Sequence, residues 1–210
     1  MSAPQKSWIR WVERLARTDV GASCCNPYAL NRTRANKIRR ANLSYYLEER
    51  ARFRPKFLLV GEALGHRGGR VTGIPFVSHH LLMTHPWYGA DGYQPLPKAP
   101  LSGEATSTIM HTVLGDIALR PLLWNAFPFH PHKPNNQSSN RKPTAGELAI
   151  GRTFLQTLIE RMEIETIVAV GNSAEKALTQ LSIPHHKVRH PSHGGKRDFE
   201  AGLRQLTQQK

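Results

Sequence analysis

Phe57-Leu58-Leu59-Val60-Gly61-Glu62-Ala63-Leu64-Gly65 is the stretch on which the fold turns. Four consecutive apolar residues run into a glycine, and a lone carboxylate follows. An unbroken apolar run this short suits a strand buried on both faces of a parallel sheet. The same form returns in Pro121-Leu122-Leu123-Trp124-Asn125 and in Thr166-Ile167-Val168-Ala169-Val170, which Gly171 ends. A short fourth strand is read at residues 186–189. Helical segments separate these runs. Ser102 opens one that Gly115 closes, and Thr144 with Glu147 forms a capping box for a helix reaching about Met162. Asn172 is expected to cap a helix to Leu181, and a terminal helix follows the loop at residues 190–195. A helical turn is placed near residues 78–84, and residues 128–143 read as a polar loop. Strands alternating with helices predict an α/β protein whose parallel sheet is covered on both faces. In such sheets the site lies beyond the carboxyl ends of the strands.

Upstream of the first strand, Trp8, Ile9, Trp11 and Leu15 recur at helical spacing and predict a helix over residues 5–17. Residues 32–56 then hold nine Lys and Arg against Glu48 and Glu49. Leu43, Tyr46 and Leu47 give this segment an apolar stripe, so it reads as a basic helix packed on a core. Its charge is either a solvated face or a surface turned to nucleic acid. Residues 1–210 are therefore taken as one domain, with a basic helical segment (1–56) packed on an α/β region (57–208).

Composition bounds the function. The 210 residues are 39% apolar, which suffices for one layered core and excludes wholesale disorder or a collagen-like chain. Lys and Arg number 29 against 15 acidic residues, a formal charge of +14 that favours polyanions, nucleic acid ahead of an anionic membrane surface. No apolar run approaches the roughly 18 residues of a membrane span, and the first residues lack a secretory apolar core. A cytoplasmic location is expected. The two cysteines, Cys24 and Cys25, are adjacent, so they build neither a disulfide framework nor a four-thiolate cluster. Eleven histidines raise the question of metal, yet His130 with His132 and His190 with His193 match no helical zinc motif. Neither a metal nor a nucleotide cofactor is expected.

Four segments ending the apolar runs are polar or glycine-rich, which suggests one shared cleft. Glu62 can position or deprotonate a water, or stabilise developing positive charge; a salt-bridged or capping Glu is the plain alternative. Asn125 offers a donor pair and an acceptor on one flat group, which suits a nucleobase edge or simply a backbone bond. His190 can donate to a carbonyl or anion, or serve structurally. Phe76 can stack on a base or plug the core. Ser192, Gly194 and Gly195 can bring backbone against a phosphate, with the cations Lys196 and Arg197 beside them.

The order of these signals resembles the uracil-DNA glycosylase superfamily. Residues 58–65, followed by Thr72-Gly73-Ile74-Pro75-Phe76, are similar to its first motif. Leu122-Leu123-Trp124-Asn125 resembles the strand bearing its base-reading Asn. Residues 167–174 resemble its late strand-to-helix turn, and His190-Pro191-Ser192 resembles its H-P-S motif. The resemblance covers roughly residues 57–208. It implies a three-layer α/β/α fold around a four-stranded parallel sheet. It also implies a monofunctional, cofactor-free glycosylase that flips a base out of DNA and hydrolyses its glycosidic bond. Glu62 would act on the water or the cationic transition state, and His190 would bond the O2 carbonyl of the leaving base. Gly61 and Ala63 would contact the base, Phe76 would stack on it, and Asn125 would read its edge. Ser192, His193, Gly194, Gly195, Lys196 and Arg197 would meet the DNA. The chain departs from the family pattern at Leu64, where the motif has Pro, and at Ala63, where other branches have Asp or Asn. The iron–sulfur branches need four cysteines, so no cluster is expected. Uracil is the expected lesion and a monomer the expected state. Hypoxanthine or xanthine, a non-catalytic nucleic-acid-binding module and a metal-dependent phosphoesterase are the competing readings.

Overall fold

A computed structural model describes residues 3–31, 33–88, 92–97 and 104–208, with the side chains of residues 3–7 excepted. Four strands form the central sheet: β2 (Phe57–Ala63), β3 (Leu122–Phe127), β5 (Thr166–Val170) and β6 (His186–Val188), in the order β3-β2-β5-β6. All three pairings are parallel, with Val60 opposite Trp124 on one side and Ala169 on the other. Parallel neighbours need crossovers, and the interposed helices supply them. Residues 64–121 carry α3 (Gly69–Thr72), α4 (His79–Thr84) and α5 (Ala105–Asp116) between β2 and β3. Helix α6 (Ala145–Arg161) joins β3 to β5, α7 (Gly171–Gln180) joins β5 to β6, and α8 (Lys196–Gln208) follows β6.

Strand alternation divides the core. Leu58, Val60 and Trp124 pack with Leu155 of α6 and Leu178 of α7, while Phe57, Leu59 and Leu123 pack with Val113 of α5 and Phe199 of α8. The first face also takes α1 (Ala3–Arg17), whose Trp11 ring lies 5.4 Å from Trp124 and 5.5 Å from Phe154. The four-stranded parallel sheet with helices on both faces is thus the architecture the sequence implies.

Helix α2 (Arg34–Phe53) runs along the β3 edge. Leu43, Tyr46 and Leu47 are buried, as their stripe predicts. The Tyr46 hydroxyl accepts from the Leu123 N–H at 2.8 Å and donates to its carbonyl at 3.4 Å, satisfying edge groups that no strand pairs. The basic segment does not present one charged face. Arg39 donates to the Val71 carbonyl at 2.7 Å, Arg40 to the Tyr28 and Ala29 carbonyls, and Arg50 is buried under the Tyr46 and Trp87 rings.

Several boundaries differ from expectation. Strand β2 continues through Glu62 and Ala63, and β3 continues to Phe127, because the ladder holds past the apolar run with Ala63 opposite Phe127. Asn125 therefore lies inside its strand, not at its end. Helix α7 begins directly at Gly171, so Asn172 is a helical residue and not its cap. Strand β6 ends at Val188, and Lys196 and Arg197 belong to the first turn of α8. Ser102 lies outside the described residues; α5 is seen from Ala105, with Glu104 at the N-cap. The capping box of α6 is present with both of its bonds. The loop after β3 holds an unforeseen strand, β4 (His130–Pro131), paired antiparallel with β1 (Cys24–Cys25).

Candidate active site

The crossovers from β2 and β5 leave in opposite directions, since β3 and β6 lie on opposite flanks of this pair. Such a switch point opens a crevice at the carboxyl ends of the strands. A cavity of about 300 Å³ lies there, and Gly61, Glu62, Ala63, Phe76, Asn125 and His190 all line it. Segments up to 129 residues apart in sequence (61 to 190) are thereby joined in one site.

Gly61 and Asn125 are partners in the β2–β3 register, so both side-chain directions lie on one face. A Cβ on Gly61 would collide with the Asn125 Oδ1 and come within 2.5 Å of the Phe76 Cζ. Only glycine lets the amide and the ring converge on this floor. Asn125 is 3% exposed, yet its amide has no hydrogen-bond partner among the described residues. The amide instead opens onto the cavity, where a ligand with matching edges can take both of its bonds.

Phe76 is half-buried and sits at φ 60°, a left-handed conformation rare for a bulky residue. Neighbouring bonds hold the turn. The Thr72 hydroxyl accepts from the Ile74 N–H at 3.1 Å and donates to the Val77 carbonyl at 2.7 Å. Backbone strain over-determined in this way gathers at ligand clamps.

The His190 ring is half-buried, and burial with Arg189 and His193 nearby lowers its pKa. Its Nδ1 takes the Ser192 N–H at 3.2 Å and the Ser192 hydroxyl at 2.7 Å. A backbone N–H only donates, so Nδ1 is the acceptor and the neutral ring carries its proton on Nε2. Gly171 at φ 85° backs the ring, for a Cβ there would lie 2.8 Å from the His190 Cβ. The Ser192 side chain is therefore committed to orienting His190, a role that its expected place against a phosphate did not foresee. His193 at φ 51° and Gly194 at φ 76° form the exposed tip of the loop. Gly195 is buried behind it, and Lys196 and Arg197 are exposed at the start of α8.

Glu62 is half-buried with no hydrogen-bond partner among the described residues. Burial raises its pKa, against an opposing pull from Lys142. An unpaired, partly desolvated carboxylate is suited to hold a water or to face positive charge.

The far wall comes from residues the sequence pattern did not single out: Pro131, Asn140 and Arg141. The Arg141 guanidinium bonds both Glu147 oxygens at 2.6 and 2.7 Å and the Ser23 carbonyl at 3.0 Å. Burial alone would push the Glu147 carboxyl up, but hydrogen bonds from Arg141, Cys24 and the Thr144 amide hold it at about 2. Burial, with the Glu147 carboxylate it donates to, pushes the Cys24 thiol up to about 12, so it is protonated and inert as a nucleophile. The His130 ring ties Leu64 of the cavity lining to the loop after β4, facing the Leu64 carbonyl at 2.7 Å and the Gln137 carbonyl at 3.0 Å. Ser173 and Thr106, in the first turns of α7 and α5, also reach the cavity. Their signal in the sequence is only a hydroxyl at a helix start.

Among the described residues, no group of three or more His, Cys, Asp or Glu is arranged to hold a metal ion, and no helix is long and apolar enough to cross a membrane. Comparison with solved structures finds SMUG2 of Pedobacter heparinus, with a TM-score of 0.68 over 100% of this chain and 98% of that one, at 14% identity. No curated protein matches the sequence. The family model of the uracil DNA glycosylase superfamily matches residues 48–207, a span that contains the whole sheet and every residue of the floor of the cavity. The chain belongs to the uracil-DNA glycosylase superfamily.

Proposed function

We propose that this protein is a monofunctional DNA glycosylase that takes uracil out of the duplex and hydrolyses its N-glycosidic bond, leaving an abasic site. Superfamily membership supports a glycosylase acting on damaged bases in DNA. The observation that carries the finer reading is the open Asn125 amide, 3% exposed, over Gly61 and beside the Phe76 ring. An amide presents a donor and an acceptor side by side, the complement of the O4–N3 edge of uracil. The ring supplies a stacking surface for a base removed from its helix, a removal that costs a few kcal/mol.

Bond cleavage leaves negative charge on the base and positive charge on the sugar. The neutral His190 offers its Nε2–H to the developing oxyanion, and it needs no reorganisation because Ser192 already holds Nδ1. Glu62 accepts from the attacking water or faces the oxocarbenium-like sugar. His193 and Gly194 form the tip that enters the DNA beside the vacated position, with Gly195 packed behind it and Lys196 and Arg197 placed to meet the phosphates.

An assay in EDTA on single- and double-stranded oligonucleotides carrying one uracil, followed by alkali, tests the reading. Alkali-dependent cleavage at the uracil is expected. Intact uracil strands would overturn it, and cleavage only at hypoxanthine or xanthine in the same panel would reassign the lesion. Glu62→Ala and His190→Ala are each expected to slow single-turnover excision by about 10²–10³-fold. Asn125→Asp is expected to change base preference far more than DNA affinity; wild-type preference in that variant would remove Asn125 from the reading.

A further inference from the structure

We propose that the DNA track extends from the cavity across the β3 side of the sheet to the N-terminal end of α2, where Arg34, Lys37 and Arg67 hold backbone phosphates. This inference rests on the glycosylase reading and adds a second phosphate-binding surface, on the flank opposite the residue 190–197 loop.

Topology places the surface. The C-terminal end of α2 leads within a few residues into the start of β2, and the Lys56 carbonyl bonds the first residue of β5. Tyr46 meets Leu123 near the start of β3. Helix α2 therefore runs antiparallel to the strands, and its N-terminal end stands at the carboxyl end of the sheet, the level of the cavity. A helix of 20 residues is about 30 Å long, so its two ends report on opposite ends of the sheet.

A continuous path joins this end to the cavity. Arg67 is exposed on the turn after Gly65, and Gly65 and Gly69 line the cavity. Arg70, in α3, donates to the His66 carbonyl. Arg39 of α2 donates to the Val71 carbonyl, and Arg34 and Lys37 are exposed five and two residues before it, in the first turn of the same helix. Neither residues 20–47 nor residues 63–90 contain a single Asp or Glu. The Glu104 carboxylate reaches this region from the inside, against Gly68, and accepts the Ser107 hydroxyl at 2.8 Å. Arg34, Lys37 and Arg67 have no ion pair among the described residues, whereas Arg39, Arg40 and Arg50 are turned inward. Glu104 in the cavity lining and Glu13 of α1, in the groove beside Arg40 and Ala41, border this surface. An exposed basic surface continuous with a cavity for an extruded base fits a phosphate backbone.

The geometry sets the footprint. Four strands span about 14 Å from β3 to β6 at about 4.8 Å each. Helix α2 adds about 10 Å beyond β3. The total of about 24 Å corresponds to about seven nucleotides at 3.4 Å each.

The test is fluorescence anisotropy of a labelled duplex, read as log Kd against log salt concentration. The triple variant Arg34→Ala/Lys37→Ala/Arg67→Ala is expected to lower the slope by about 0.9 for each phosphate no longer neutralised, about 2.7 if all three cations engage. Single-turnover excision at saturating DNA is expected to stay at the wild-type rate. Arg52→Ala/Arg54→Ala, at the other end of α2, is expected to leave the slope unchanged. Trimming the duplex from one side of the lesion, and only one, is expected to erase the difference between triple variant and wild type. A wild-type slope in the triple variant, or an equal drop in the Arg52/Arg54 variant, overturns the extended track while leaving the glycosylase reading intact. A wild-type protein whose DNA binding ignores salt overturns both.

Discussion

At Glu62 a half-buried carboxylate shares a cavity with Asn125 and His190 and has no hydrogen-bond partner among the described residues. Burial raises its pKa above the ordinary Glu value, with Lys142 opposing. The folded state therefore holds that proton more tightly than the unfolded chain. The resulting stability is fully present below the unfolded pKa and is lost as pH rises through the folded one. Glu62→Gln, which cannot ionise, should unfold at a higher temperature than wild type at pH 7, and the gap should close as pH falls to 4. Thermal unfolding at both pH values checks this; a variant no more stable at pH 7 would contradict the desolvated carboxylate. Loss of excision in the same variant would mark the charge as kept for chemistry at the expense of stability. Gly61, Glu62, Ala63, Asn125 and His190 were legible because each stands at or beside the end of an apolar run, and Phe76 as a loop aromatic after Gly73-Ile74-Pro75. The partners that give them their chemistry were not. Ser192 as the orienter of His190, Gly61 as the gap under Asn125 and the strained Phe76 backbone follow from the meeting of distant segments.

Elements carry the next level of argument. The free edge of β3 is closed by one hydroxyl, since Tyr46 bonds both the N–H and the carbonyl of Leu123. Tyr46→Phe leaves these buried groups unpaired and should cost about 1–3 kcal/mol, read from urea denaturation. An unchanged midpoint would mean that the edge is satisfied otherwise. The helices and strands were largely legible in the sequence, since apolar runs, caps and glycines act locally. Thr144 and Glu147 marked α6 correctly, and Leu43, Tyr46 and Leu47 marked the buried stripe of α2. The misses share a physical cause. Strands β2 and β3 each outrun their apolar cores because a neighbouring ladder, not side-chain character, extends them. The β1–β4 pair is too short to show a period, and it exists because Cys24, Glu147 and Arg141 tie the N-terminal segment to the wall of the cavity.

For the whole molecule, charge is the dominant property. Twenty-nine cations face 15 anions, and only four ion pairs form among the described residues. Self-repulsion of this size destabilises the compact state and is screened over about 10 Å at 0.1 M salt. The unfolding temperature should therefore rise as salt increases from about 0.01 to 0.2 M at neutral pH. A fall would show that local ion pairs outweigh the net charge. The amount of charge was plain from composition, but its placement was not. Of the nine cations in residues 32–56, Arg39, Arg40 and Arg50 turn inward to carbonyls and rings, while Arg34 and Lys37 remain exposed at the level of the cavity. By itself the sequence determined the strands, their alternation with helices and the sign of the surface, because each is written in contiguous residues. Only the tertiary structure decided the strand order β3-β2-β5-β6, and with it the convergence of Gly61, Phe76, Asn125 and His190 on one cavity. Which segments meet across long stretches of chain depends on which strands become neighbours, and apolar runs of similar character do not say which partner each will take.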